Sequence, residues 1–224
     1  MNLKQGMKGS EVKQVQIKLQ ELGLFHGTPR GNFGPVTEAA VRYFQKSNGL
    51  KVDGIVGPNT WAKLFQGKAP GGEVPRTKDL PPWFLLALQD LHRGVKEIPG
   101  AEDNPYIVEA HGHTSLAAKD DETPWCSSIV CLWMEKSGIR STRSAAAASW
   151  RTWGRELEHG IPGCVVVMTR TGGNHVGLYL GEDSQGVYMV GGNQDNMVCV
   201  RRYPWSLITN FRYPTEAEGW REAA

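Results

Sequence analysis

The chain has 224 residues, enough for one large domain or two modest ones. Hydrophobic residues make up 40% of it and charged residues 21%, a globular balance that excludes collagen-like, low-complexity and wholly disordered chains. A formal net charge of +2, with basic runs no longer than pairs such as Arg201-Arg202, offers no field for a polyanion, so no nucleic-acid partner is expected.

Eight tryptophans and 27 glycines exceed average usage. They suit carbohydrate-contacting or tightly turning domains, and equally core filling and turns. Residues 1–10 lack the apolar stretch of a secretory signal, and no window approaches the roughly 18 apolar residues of a spanning helix. Four cysteines (Cys126, Cys131, Cys164, Cys199) without a signal argue for reduced thiols. The expectation is a monomer made in the cytoplasm, without a cofactor or stable membrane association.

Val12, Val15, Ile17, Leu19 and Leu22 predict a first helix, stopped by Gly23. An echo follows: Gly31-Asn32-Phe33-Gly34-Pro35-Val36-Thr37 is matched 23 residues later by Gly54-Ile55-Val56-Gly57-Pro58-Asn59-Thr60. In each copy a glycine turn meets a proline suited to the first helical position, where its missing N–H costs nothing. Helical patterns continue through Ala40, Val41 and Phe44, and through Trp61 and Leu64, which together predict a small three-helix bundle without a catalytic grouping. Residues 67–82 hold four prolines in non-periodic sequence and read as a flexible linker.

Beyond it, Trp83 to Leu91 predicts a helix entered through Pro81-Pro82. A second is opened by Pro124 and runs to Gly138, and an alanine-rich third spans Ser144 to Trp153. After Pro162 the pattern turns to strands at Cys164–Met168, His175–Gly181, Val187–Gly191 and Met197–Tyr203. Helices followed by an antiparallel meander make an α+β layout. The boundaries expected are 1–66 for the bundle, 67–82 for the linker, 83–215 for the α+β domain and 216–224 for a tail.

Cys126 falls in the first turn of a predicted helix, where unsatisfied N–H groups favour a thiolate. A buried structural cysteine is the competing reading. Cys131 lies five residues on, roughly 140° further round the helix, and reads as core. If His175–Gly181 and Val187–Asn193 form a hairpin centred on Ser184, His175 and Asn193 face each other with Cβ atoms about 5 Å apart. A Cys/His/Asn set has the logic of a thiol hydrolase. A one-residue slip would send Asn193 to the opposite face. His111 and His113, with His175, are alternative metal ligands, and Asp120-Asp121-Glu122 reads best as a solvated helix-entry cluster.

Two resemblances enter on these residues. Leu3 to Leu64, with Gly6, Gly9, Leu19-Gln20, Leu22-Gly23, Gly31-Asn32-Phe33-Gly34, Phe44-Gln45, Asp53-Gly54 and Thr60-Trp61, resembles the peptidoglycan-binding domain found at the ends of wall hydrolases. Glu97-Ile98-Pro99-Gly100, Asn104-Pro105, Asp120 through Ser127, Pro162-Gly163, His175-Val176-Gly177 and Gly191-Gly192-Asn193-Gln194 resemble the CHAP and NlpC-type amidohydrolase/peptidase superfamily, especially the catalytic domains of phage endolysins. That resemblance implies a papain-like α+β domain with Cys126 as nucleophile, His175 as base and Asn193 as orienting residue. Trp125 and Gln194 are candidate substrate contacts, and no metal is implied. The function expected is cleavage of a peptidoglycan amide bond after release through a holin-type membrane lesion. A non-catalytic wall-binding protein and a zinc amidase using His111, His113 and His175 are the alternatives.

Overall fold

A computed structural model describes residues 2–22, 24–25, 28–65 and 80–217. Residues 67–79 of the predicted linker at 67–82, the stop at Gly23 and residues 218–224 of the predicted tail at 216–224 lie outside the described residues.

The N-terminal part is three helices, α1 (Ser10–Glu21), α2 (Pro35–Ser47) and α3 (Pro58–Phe65). Both later helices begin on the proline of the echoed motif. Val12, Val15 and Leu19 bury one stripe of α1, whereas Ile17 sits on the outer face at 40% exposure. The echo has a polar cause. Gly31 and Gly54 both have positive φ, and each donates its N–H to a buried glutamine, Gln16 and Gln45 respectively, at 2.8 Å. The same amides donate to Asn32 O and Thr37 Oγ1, and to Ile55 O and Thr60 Oγ1, so neither buried side chain is left wanting.

The second part packs α4 (Pro82–Arg93) and α6 (Cys126–Lys136) against an antiparallel sheet, with α5 (Pro105–His111) laid on α6. Its strands are β1 (Arg155–Leu157), β2 (Val165–Arg170), β3 (Gly173–Asp183), β4 (Gly186–Gly191), β5 (Cys199–Pro204) and β6 (Ile208–Tyr213), in the order β1-β6-β2-β3-β4-β5. The fold is α+β, as the pattern predicts. The meander is interrupted, because β6 returns across the sheet to lie beside β2. Strands β1 and β6 and helix α5 are not among the expected elements: Arg155–Leu157 and Pro105–His111 are too short for a clear period, and β6 runs from half-exposed to buried without alternation. The alanine-rich run forms only a 3-10 turn at Ala147–Thr152. Trp150, whose indole is held by Ser127 Oγ at 2.8 Å, and the Trp150–Trp153 edge contact overrule alanine's helical preference there.

Every residue of α6 from Cys126 to Met134 is buried, as befits a helix wrapped on all sides. Asp90 on α4 ties it in, accepting from the Trp133 indole at 2.7 Å and the Tyr106 hydroxyl at 2.9 Å. None of the described helices is long and apolar enough to cross a membrane.

The two parts share a seam. Lys46 of α2 bonds to the Tyr179 hydroxyl on β3 and reaches the Gly160 carbonyl at 3.4 Å, while Tyr179 donates to Glu182 at 2.6 Å. The Arg42 guanidinium lies 3.6 Å over the Tyr188 ring. Beneath these polar contacts an apolar pocket is lined by Ala39 and Tyr43 of α2, Leu80, Phe84 and Leu88 around α4, and Leu180 of β3. Residue 80, expected in the linker, is therefore already buried, and α4 starts at Pro82.

Candidate active site

Cys126 is the first residue of α6, with Trp125 as N-cap, two residues later than Pro124 suggests. The first N–H groups of a helix have no intrahelical acceptor, so those of Cys126 and Ser127 face the thiol region. They act on the sulfur, as does the backbone N–H of Val176, each favouring the thiolate. The Cys126 side chain is only 8% exposed, however, and burial outweighs them, pushing the thiol pKa above its ordinary value. The expected thiolate at the helix start is thus not the resting state. The Val176 N–H belongs to β3, on which α6 packs, so the sulfur lies beside the strand that carries His175.

His175 is buried, and desolvation pushes its pKa down to about 4, with the Arg170 charge acting in the same direction. At neutral pH the pair is therefore a thiol and a neutral imidazole. His175 Nε2 lies 3.2 Å from Gln194 Oε1. The orientation of that amide follows from its other contacts. Gln194 Nε2 donates to the carbonyls of Gly191 at 3.1 Å and Cys199 at 2.5 Å, so Oε1 must face the ring and the Tyr203 hydroxyl, which donates to it at 2.8 Å. Burial pushes the Tyr203 phenol up to about 12, keeping it a donor. An acceptor facing Nε2 requires the tautomer with Nε2–H, and Nδ1 is left as the free base.

The hairpin register shows why the contact falls to Gln194. The turn pairs Gly181 with Tyr188 and Asp183 with Gly186, one residue away from the expected register. A bulge at Leu180 cancels that slip, so Tyr179 meets Met189 and Leu178 meets Val190, as a turn centred on Ser184 requires. The register would carry His175 to Asn193, but β4 ends at Gly191 and Asn193 turns away with φ 53°. The next side chain, Gln194, comes back under the ring. The sequence signal for it was present in Gly191-Gly192-Asn193-Gln194, but strand pairing alone could not reveal a left-handed residue.

Trp125 is 0% exposed, with its indole N–H donating to Glu97 Oε1 at 2.8 Å. A Cβ on Gly192 would meet the Trp125 ring at 2.2 Å, so the ring is a wall for the loop carrying Gln194 and offers no open face to a substrate. Gln194 is likewise buried and engaged. Asp121, expected to be solvated, is 0% exposed and accepts from the N–H groups of Ile98 and Asn104 at 2.9 and 2.8 Å. It thereby pins the segment that carries Glu97. Among the described residues, Asp103, Asp121 and Glu122 form the one group of carboxylates close enough together to hold a cation. The histidines of the zinc alternative bind apart: His111 to Ser128 at 3.0 Å, His113 to Glu135 at 3.3 Å and His175 to Gln194.

Residues 8–64 match the family described as "Putative peptidoglycan binding domain". The chain is 42% identical over 69 residues to the zinc D-Ala-D-Ala carboxypeptidase of Streptomyces albus G, covering 29% of this chain and 26% of that protein. It is 35% identical over 96 residues to a "Probable N-acetylmuramoyl-L-alanine amidase" of Bacillus licheniformis, covering 41% of this chain and 27% of that one. It spans about half the length of one further curated relative, at 53%, and about a quarter of these two. The crystal structure of a Burkholderia AP3 phage endolysin aligns at 31% identity with a TM-score of 0.29, covering 40% of this chain and 32% of that one. The family match falls on the N-terminal helical part of the chain, from just before α1 to the end of α3.

Proposed function

We propose that this chain hydrolyses an amide bond of peptidoglycan by thiol catalysis, with Cys126 as nucleophile, His175 as base and Gln194 as the residue that orients the ring. The reading rests on one observation above all. A cysteine at the start of α6 lies on a helix packed against the strand that carries a histidine whose Nε2–H is locked, leaving Nδ1 to take a proton. The peptidoglycan-binding domain and relatives named for amidase and carboxypeptidase activities support the choice of polymer.

His175 Nδ1 takes the thiol proton as sulfur attacks the carbonyl carbon, since a buried neutral pair needs substrate-coupled proton transfer. The N–H groups of Cys126 and Ser127 meet the developing oxyanion at the positive end of α6. The imidazolium then protonates the leaving nitrogen, the C–N bond breaks, and a thioester remains. Water, deprotonated by the same Nδ1, attacks the thioester, and the new carboxylate departs as the thiol regains its proton.

Iodoacetamide and a chelator distinguish the readings on purified sacculi. Alkylation should abolish the release of new amino groups while EDTA leaves it intact. Loss to EDTA with resistance to alkylation would move the chemistry to a metal, and binding without release under any condition would leave a non-catalytic wall-binding protein.

A further inference from the structure

Strand β2 pairs with β3 so that Met168 faces His175 and Arg170 faces Gly173. Directly opposed residues, and residues two apart, project from one face of a sheet. Arg170 therefore rises on the same face as His175, diagonally across a glycine that places no side chain between them. Its charge acts on three groups of the site at once, the Cys126 thiol, the His175 ring and the Tyr203 phenol.

Three other arginines of the second part are held by partners. Arg151 is bonded to Thr169 and Asn174, Arg143 to Glu135, and Arg212 to Glu156. Arg170 is exposed and, among the described residues, its side chain makes no hydrogen bond or ion pair. A free guanidinium beside a buried nucleophile, where it also disfavours the imidazolium, is an arrangement that an arriving anion would complete. Guanidinium matches carboxylate through two parallel N–H···O bonds, a geometry that a lysine cannot reproduce. The peptides of peptidoglycan carry free carboxylates close to their amide bonds.

We propose that Arg170 is an anion subsite that takes a carboxylate of the stem peptide and seats the scissile amide over Cys126. The inference rests on the thiol-hydrolase reading of this site and names its substrate class as carboxylate-bearing peptides.

The test compares soluble muropeptides with free carboxylates against the same muropeptides converted to primary amides with carbodiimide and ammonia. The full chain is assayed as wild type, Arg170→Gln, Arg170→Lys and Cys126→Ala. Wild type should favour the free form by about tenfold in kcat/KM, mostly through KM, the scale of a hydrogen bond to a charged group. The preference should fall to near one in Arg170→Gln and survive in part in Arg170→Lys. A preference that persists unchanged in Arg170→Gln, or is missing from wild type, overturns the subsite and leaves Arg170 a solvated charge. Undiminished cleavage by Cys126→Ala is a separate failure, that of the thiol reading.

Discussion

Gln194 spends its whole amide on holding one ring: two carbonyls fix its nitrogen, and His175 and Tyr203 share its oxygen. Gln194→Ala should lower kcat by roughly tenfold to a hundredfold, because the ring loses its tautomer and its angle. Asn193→Gly, which keeps the left-handed backbone, should stay within about threefold of wild type. Steady-state rates on one soluble muropeptide decide between them, and the reverse pattern would return the orienting role to Asn193. Titration belongs to this scale as well. With His175 held near 4 when folded, against an ordinary 6.5, the unfolded chain binds the extra proton between those values. Its contribution to stability is therefore complete above 6.5 and lost as pH falls through about 4, on the order of 3 kcal/mol in all. Chemical denaturation at pH 7 and pH 4.5 should show a drop that His175→Gln reduces. The acid limb of kcat/KM should likewise lie near 4, well below 6.5.

Among the elements, the loop after β4 is the most constrained. It pairs with the segment before α5 through Lys96 and Met197, and Gly192 lies flat on Trp125. Gly192→Ala should cost about 1 to 3 kcal/mol by overpacking, since Trp125 is fully enclosed and cannot yield. It should also cut activity at least tenfold by lifting Gln194 from the ring. Thermal unfolding together with kcat checks this, and a variant that is stable and fully active would contradict it. The sequence was legible where local rules dominate. Pro35 and Pro58 start their helices as their first-turn preference requires, and the nearly continuous apolar run of β3 is enough to place His175 on a buried strand. It was illegible where distant contacts decide. Examples are the Leu180 bulge, the turn-away at Asn193, and the alanine run bent by two tryptophans. Cys126 could be placed from its helix start, but the burial that raises its pKa is a property of the packed site.

For the whole molecule, the N-terminal helical part is built onto the six-stranded sheet. Helix α2 covers part of the surface formed by β3 and α4, and burial lowers the Lys46 pKa against the pull of Glu182. A flexible tether alone, which residues 67–82 suggested, would leave Phe84 and Leu180 facing water. Ala39, buried in this seam, is the point at which to open it. Ala39→Glu should lower Tm by roughly 5 °C or more, because an unpaired carboxylate would enter an apolar contact. An unchanged Tm would mean that the two parts stand independently.

Mass spectrometry of purified sacculi, digested in parallel by the wild type and by Cys126→Ala, bears most directly on the proposed function. Soluble fragments with new amine and carboxylate ends are expected from the wild type alone, and those ends identify the amide that is cut. Identical fragments from both proteins would contradict the proposed function and make Cys126 a structural residue at a helix start.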